Sequence, residues 1–486
     1  YSKFPKVSIA DVPDNEVKGK NVFIRVDYNV AFKKDKVDDP YRILFSLPTL
    51  VNLLKENRKA NAQVLAFHVK KAQDVIEGKK KFKDLTPAQK ADELKKIQTY
   101  KVAEELSRIL KDVAVNPAKY GVDLTGVSAE TIEQMKAGTI VKAVRDDAPI
   151  KDLEKFAAMS PEELKQATKN KLPGAVVAMS PEKLAEVKAA VASGGIIVLE
   201  NTRFYTGEQG KNVEGKKDPA ATAALSGQYA ELADLYINDA FGTAHRKHAS
   251  THGVTVAMNP EGAASHKRIV AGMLMRDEMT MMRQLFDKPQ HPFVLISGGA
   301  KVGDKSSALI AVMGKLGKED SVIIGGKMAY AFDDAKKFLE GYESGSFYNP
   351  FSEKQQKEKI DNTIKFITGQ KEYGKKTQEK QIDPAVAWLA KEIETKMKLD
   401  AESAKEAANA VCVIKKSKET GVNLVLPVDL TCSQMTVDQV KKADKVADKK
   451  VYKSSEVPAG WNGYDIGPES TKQAVDLIGK AQAIFW

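Results

Sequence analysis

Cysteine is almost missing from this chain: 486 residues contain only Cys412 and Cys432. Two thiols cannot build a disulfide framework, and these two carry no metal-ligand spacing. A reducing, intracellular setting is therefore expected, the cytoplasm first, with organelle targeting left open. Long apolar runs are also missing. No stretch reaches the roughly 18 residues of a membrane span, so no span is expected. Nucleic-acid motifs are absent too, although the net charge is +11. The lysines lie in helical runs such as Lys79-Lys80-Lys81-Phe82-Lys83 and Lys441-Lys442 with no regular interleaving of aromatics, so nucleic acid is not the expected partner. A basic balance equally suits small anionic substrates or an anionic surface. The chain opens on Tyr1 with no methionine and no visible signal peptide; Tyr1 is not taken as the translational start, and targeting is not read from it.

What is present is ample apolar material, 42% of residues, in a length that exceeds one ordinary core. Short, mostly apolar runs recur: Val22 to Val26, Gln63 to Phe67, Ile196 to Leu199, Leu235 to Ile237, Phe293 to Ile296, Ser321 to Ile324 and Asn423 to Leu426. Their continuity, rather than alternation, suits parallel strands buried on both faces. Alternating with helical segments, they predict an α/β protein of two doubly wound parallel-sheet (Rossmann-like) lobes joined by a linking helix, with helical insertions in each lobe.

One helical expansion is read at about 79–192. Thr86-Pro87, Ser160-Pro161 and Ser180-Pro181 each place a hydroxyl N-cap before proline at the first helical position. The phrase Ala-Met-Ser-Pro-Glu-x-Leu occurs at 158–164 and again at 178–184, through a small duplication or shared capping grammar. A polar expansion at about 345–417 reads as helical decoration or a surface loop. A Met-rich helix near 271–290 reads as the link between halves.

The segment Ser297-Gly298-Gly299-Ala300-Lys301-Val302-Gly303-Asp304-Lys305-Ser306 follows a strand-like run and opens a helix over Ser306 to Leu316. Backbone N–H groups at a helix start with two ammonium groups nearby suit phosphate. An ordinary strand-to-helix turn with solvated lysines is the plain alternative. The Walker pattern fails, because Asp304 separates the second glycine from Lys305. Arg42, His68, Arg203 and Arg246 lie at or near strand carboxyl ends, where open α/β sheets bind ligands. Each alone reads as a solvated cation; together they favour an anion pocket, for which the planar arginine fork is suited. His245, His248 and His252 suggest a metal only weakly, since no strand or helix template fixes their geometry.

The phrases Ile24-Arg25-Val26-Asp27-Tyr28-Asn29-Val30, Leu199-Glu200-Asn201-Thr202-Arg203-Phe204, Asn238 to Ser250, Gly298 to Lys305 and Asp465-Ile466-Gly467-Pro468 resemble the phosphoglycerate kinase family, in that family's order. The resemblance covers the chain except for the two expansions. It implies reversible phosphoryl transfer between 1,3-bisphosphoglycerate and Mg-ADP, giving 3-phosphoglycerate and ATP in glycolysis. It further implies a triose-binding lobe at 1–270, a linking helix at 271–290 that lets the lobes close, and a nucleotide-binding lobe at 291–486. Carried over by motif, Asp27, Asn29, Arg42, His68, Arg203 and Arg246 bind the triose, with Lys71 where the family has an arginine. Arg42, Lys301 and Lys305 act on the migrating phosphoryl group. Gly299, Ala300, Lys305, Gly325, Gly326, Lys327 and Tyr464 hold the nucleotide.

The chain departs from the family pattern at Phe67-His68-Val69-Lys70-Lys71-Ala72, at Lys327, and at Tyr464 where leucine is common. Ile484-Phe485-Trp486 begins another family phrase, so the second lobe reads as incomplete, with magnesium ligands expected beyond Trp486 and none within the chain. An enzyme of this kind is expected to be a monomer. The alternative is a catalytically impaired paralogue serving as a structural or binding part of a larger assembly.

Overall fold

The computed structural model of the chain describes residues 7–33, 36–67, 99–146, 176–261, 267–287, 289–299, 301–303, 305–344, 346–347, 353–369, 376–442 and 445–486. It divides into two compact units, Tyr1–Thr280 and Met281–Trp486.

The first unit is built on β1 (Asn21–Val26), β2 (Ala62–Ala66), β3 (Val141–Ala143), β4 (Gly195–Val198), β5 (Leu235–Asp239) and β6 (Arg268–Ala271). They form one sheet in the order β3-β4-β2-β1-β5-β6, and every pairing is parallel. Val22, Ile24, Val26, Leu65, Ile196, Val198 and Ile237 fill a core on one face. Phe23, Val64, Ile197 and Tyr236 fill a second core on the other. Alternate residues of one strand thus enter opposite cores, which is why these runs are continuously apolar. Each fully buried Ile, Val or Phe contributes about 1.5–3 kcal/mol.

β3 adds a strand inside the segment read as a helical expansion at about 79–192. Val-Lys-Ala carries almost no strand signal; pairing with β4 fixes it. The described α-helices of that segment are Thr99–Val115, Ala129–Ala137 and Pro181–Ala192. The last is capped as read: Ser180 Oγ accepts from Lys183 N at 3.1 Å, with proline at the first helical position. Thr86 and Ser160 lie outside the described residues.

The second unit carries a parallel sheet of β7 (Phe293–Ser297), β8 (Ser321–Ile324), β9 (Asn423–Val425) and β13 (Ala483–Phe485), in the order β9-β8-β7-β13. An antiparallel sheet of β10 (Asp429–Ser433), β11 (Lys450–Lys453) and β12 (Asn462–Ile466) has the order β11-β10-β12. Helix Met273–Asp287 lies within the segment 271–290 read as the link, and the division between units falls inside it.

The segment read as polar decoration is only partly that. Helices Glu353–Gly369, Lys376–Met397 and Ala401–Thr420 form there, and the third is a core helix that buries Ala404, Ala407, Ala408, Val411 and Cys412. Alanines supply that buried face, so a reading by large hydrophobics passes over it. Cys412 and Cys432 are free and buried, and burial pushes the Cys412 thiol up to about 12.

Candidate functional site

In the first unit, the parallel strands deliver their carboxyl ends to one edge, where ligands bind in such sheets. β1 ends before Asp27, β4 before Glu200-Asn201, and β5 leads into Phe241–Ser250. Arg25, on β1, is fully buried, and its Nε donates to Ser250 Oγ at 2.9 Å. Ser250 in turn donates from Oγ to Glu208 Oε1 at 2.6 Å and from its backbone N–H to Glu208 Oε2 at 3.0 Å. Glu208 is also fully buried; burial pushes its carboxyl pKa upward, while Arg25, Ser250 and Arg203 oppose that shift. A buried ion such as this stays charged only when paired and hydrogen-bonded.

His248 Nδ1 sits 3.6 Å from Glu208 Oε1. Burial first, then the charges of Arg203, Arg25, Arg246 and His245, push its imidazole down to about 3. At neutral pH the ring is therefore uncharged. The charges of Arg203 and Arg246, read as anion-binding residues, both act on it. Arg42, on the short helix Tyr41–Leu44, is half-exposed and forms an ion pair with Asp27. Asn29 donates its backbone N–H to Asp27 Oδ1 at 3.4 Å. A Cβ at Gly242 would stand 3.2 Å from Asp27 Oδ2, so the loops after β1 and β5 converge there. His68 and Lys71 lie outside the described residues. Among the described residues no three His, Cys, Asp or Glu side chains gather as a metal site.

In the second unit, the turns after β7 and β8 pack backbone against backbone. Gly299 has φ 129° and Gly326 φ 66°, conformations that favour glycine. A Cβ at Gly326 would lie 2.9 Å from Gly299 N, and Met328 N donates to Gly299 O at 2.9 Å. Lys305 immediately precedes helix Ser306–Met313, three residues shorter than the expected reach to Leu316. Its side chain lies over the turn: a Cβ at Gly299 would be 3.4 Å from Lys305 Cε and 3.6 Å from Nζ. Ala300 is outside the described residues. Gly326, Lys327 and Tyr464 come together around a cavity of about 40 Å³, with Tyr330, Asp333 and Asp465. The Tyr464 hydroxyl donates to Met435 O at 2.5 Å.

Three carboxylates of these sites escaped sequence reading. Glu208, with Ser250 at the end of a quoted motif, holds the buried arginine, and Glu402 and Glu406 contact the glycine-lysine turn. Lys301 Nζ is 2.9 Å from Glu402 Oε1, and Glu406 Oε2 accepts from Val302 N at 2.5 Å and Gly303 N at 2.9 Å. A lone carboxylate in a soluble helix or loop carries no pattern, so nothing in the residues signalled them.

Two α/β units, each with a parallel sheet, one edged with arginines and the other with a glycine-lysine turn, define a two-unit α/β protein with cationic groups at its strand ends. The family model described as Phosphoglycerate kinase matches residues 12–143 and 151–486, so the chain belongs to that kinase family. A phosphoglycerate kinase of Fervidobacterium nodosum is 28% identical over 99% of this chain and 78% of its own length. One from Kluyveromyces lactis is 29% identical over 98% of this chain and 78% of its own. The crystal structure of phosphoglycerate kinase from Pyrococcus horikoshii aligns with TM-score 0.52 at 17% identity, covering 98% of this chain and 79% of that one, which is a likeness of fold.

Proposed function

We propose that the chain catalyses reversible phosphoryl transfer between 1,3-bisphosphoglycerate and Mg-ADP, giving 3-phosphoglycerate and ATP, the phosphoglycerate kinase step of glycolysis. The observation that carries this reading is the glycine cradle of the second unit. Gly299 and Gly326 approach so closely that a Cβ at Gly326 would strike Gly299 N at 2.9 Å, and Lys305 is laid across the turn. Backbone this bare, with an ammonium above it, fits the phosphates of a nucleotide. Lys327 and Tyr464 line the adjacent cavity, which at about 40 Å³ holds a few waters and has to widen before a base enters it.

Phosphoryl transfer asks for alignment and positive charge around the migrating group more than for a nucleophile. Lys301 and Lys305 would supply that charge from the nucleotide side. Arg42, Arg203 and Arg246, with His68 and Lys71, would hold the carboxylate and phosphate of the triose, and Asp27 and Asn29 its hydroxyl. Magnesium, bound with the nucleotide, supplies neutralisation of phosphate charge, and an ion of this kind needs only one or two protein carboxylates.

The test is a coupled assay of the full chain with 3-phosphoglycerate and Mg-ATP, paired with calorimetry of each ligand. Lys305→Met is expected to lower kcat by about 10²–10³, as for loss of one preorganised donor. Arg203→Ala is expected to raise KM for 3-phosphoglycerate about tenfold or more. A full chain that turns over nothing, even one that still binds 3-phosphoglycerate, overturns the reading.

A further inference from the structure

The phosphate turn of the second unit already has an anion in it. Val302 N and Gly303 N both donate to one oxygen, Glu406 Oε2, at 2.5 and 2.9 Å. Lys301 Nζ lies 2.9 Å from Glu402 Oε1. Ser306 Oγ donates to Asn409 Oδ1 at 3.0 Å, in a buried contact. Glu402, Glu406 and Asn409 are spaced i, i+4, i+7 on helix Ala401–Thr420, so they form one stripe along one face. The turn meets that stripe closely: a Cβ at Gly303 would be 3.5 Å from both Asn409 Nδ2 and Glu406 Oε1.

We propose that Glu406, assisted by Glu402, is a built-in occupant of the phosphate turn and sets how tightly this unit takes a phosphate chain. Successive backbone N–H groups turned to one point form an anion-binding nest. A carboxylate and a phosphate oxygen compete for the same donors, and hydrogen bonds to charged acceptors are the strong ones. A phosphate entering at 301–303 must therefore displace Glu406 from two amides and Glu402 from Lys301. The two carboxylates also cancel the positive field that would attract it. This chain's nucleotide affinity is consequently held down by its own helix. The proposal rests on the phosphotransfer reading for the identity of the ligand, but not for the competition itself.

Titration calorimetry of the full chain and of Glu406→Gln, with sodium pyrophosphate and separately with Mg-ADP, tests it. Glutamine keeps a carbonyl to accept one amide but removes the competing charge, and a melting curve monitors the fold. Pyrophosphate is expected to bind Glu406→Gln about tenfold or more tightly than the unmodified chain. Glu402→Gln is expected to gain by a factor of about two or three, because its pair with Lys301 is exposed and screened.

A Glu406 that merely shapes the turn predicts the reverse, a weaker site in the variant. Equal or weaker pyrophosphate binding by Glu406→Gln overturns the proposal. If that variant melts early, Glu402→Gln decides, and no gain there overturns it. A gain for pyrophosphate with no Mg-ADP binding by either protein keeps the occupant and removes the nucleotide reading. Mg-ADP binding without any gain does the opposite.

Discussion

At His248 the first unit holds a titratable ring in a place where its charged form is penalised twice, by burial and by Arg203, Arg25 and Arg246, so its pKa falls from 6.5 to about 3. The folded state then binds that proton more weakly than the unfolded chain does. Its contribution to stability is complete above pH 6.5 and is lost as pH falls toward 3, at up to about 1.4 kcal/mol per pH unit. Asp239 works the other way. Burial raises its carboxyl from 3.8 to about 6, so its contribution is present below 3.8 and lost as pH rises through 6. The two slopes partly cancel in acid, and only a comparison isolates the histidine. His248→Asn is expected to remove the acid-side loss, so that urea unfolding of the first unit's transition becomes less pH-dependent between 6.5 and 4 than in the unmodified chain. Parallel curves for the two proteins would show that the ring is not held neutral.

Among the elements, the two glycine turns of the second unit carry the sharpest geometric demand. Alanine at Gly326 must adopt φ 66° and place Cβ 2.9 Å from Gly299 N. Left-handed backbone costs a non-glycine residue roughly 1–2 kcal/mol, and the turns must also part. Gly326→Ala is expected to destabilise the second unit by about 2–3 kcal/mol and to abolish pyrophosphate binding. Gly317→Ala, where a Cβ meets nothing within 4 Å, is expected to change stability by less than about 0.5 kcal/mol. Normal pyrophosphate affinity in Gly326→Ala would separate the cradle from phosphate binding.

The same elements show what a sequence can disclose. β1, β2, β4, β5, β7, β8 and β9 were legible because buried parallel strands must be continuously apolar, and the glycine-lysine turn because its residue types announce bare backbone. β3 was not, since Val141–Ala143 is a strand only by pairing with β4. The helix Ala401–Thr420 hid its core face behind alanine. Glu406 reaches Val302 across 104 residues of chain, a pairing that exists only once the unit has folded.

Across the whole molecule, the two units keep separate hydrophobic cores. Phe23, Ile24 and Tyr236 belong to cores of the first, and Phe293, Phe332 and Val411 to that of the second. Nothing in such an arrangement forces one cooperative melt, because a chain of several domains need not unfold in a single step. Calorimetry is therefore expected to resolve two transitions, each answering to its own ligand. A ligand at about 100 times its Kd adds about 2.7 kcal/mol to the unit that binds it. For a unit of this size that is a rise on the order of 5–10 °C. 3-Phosphoglycerate is expected to raise the transition weakened by a core change in the first unit, such as Ile24→Val, and Mg-ADP the one weakened by Val411→Ala in the second. If both ligands raise the same one of two resolved transitions, then the assignment of arginine edge and glycine cradle to separate units fails, and with it the division of labour on which the proposed reaction depends.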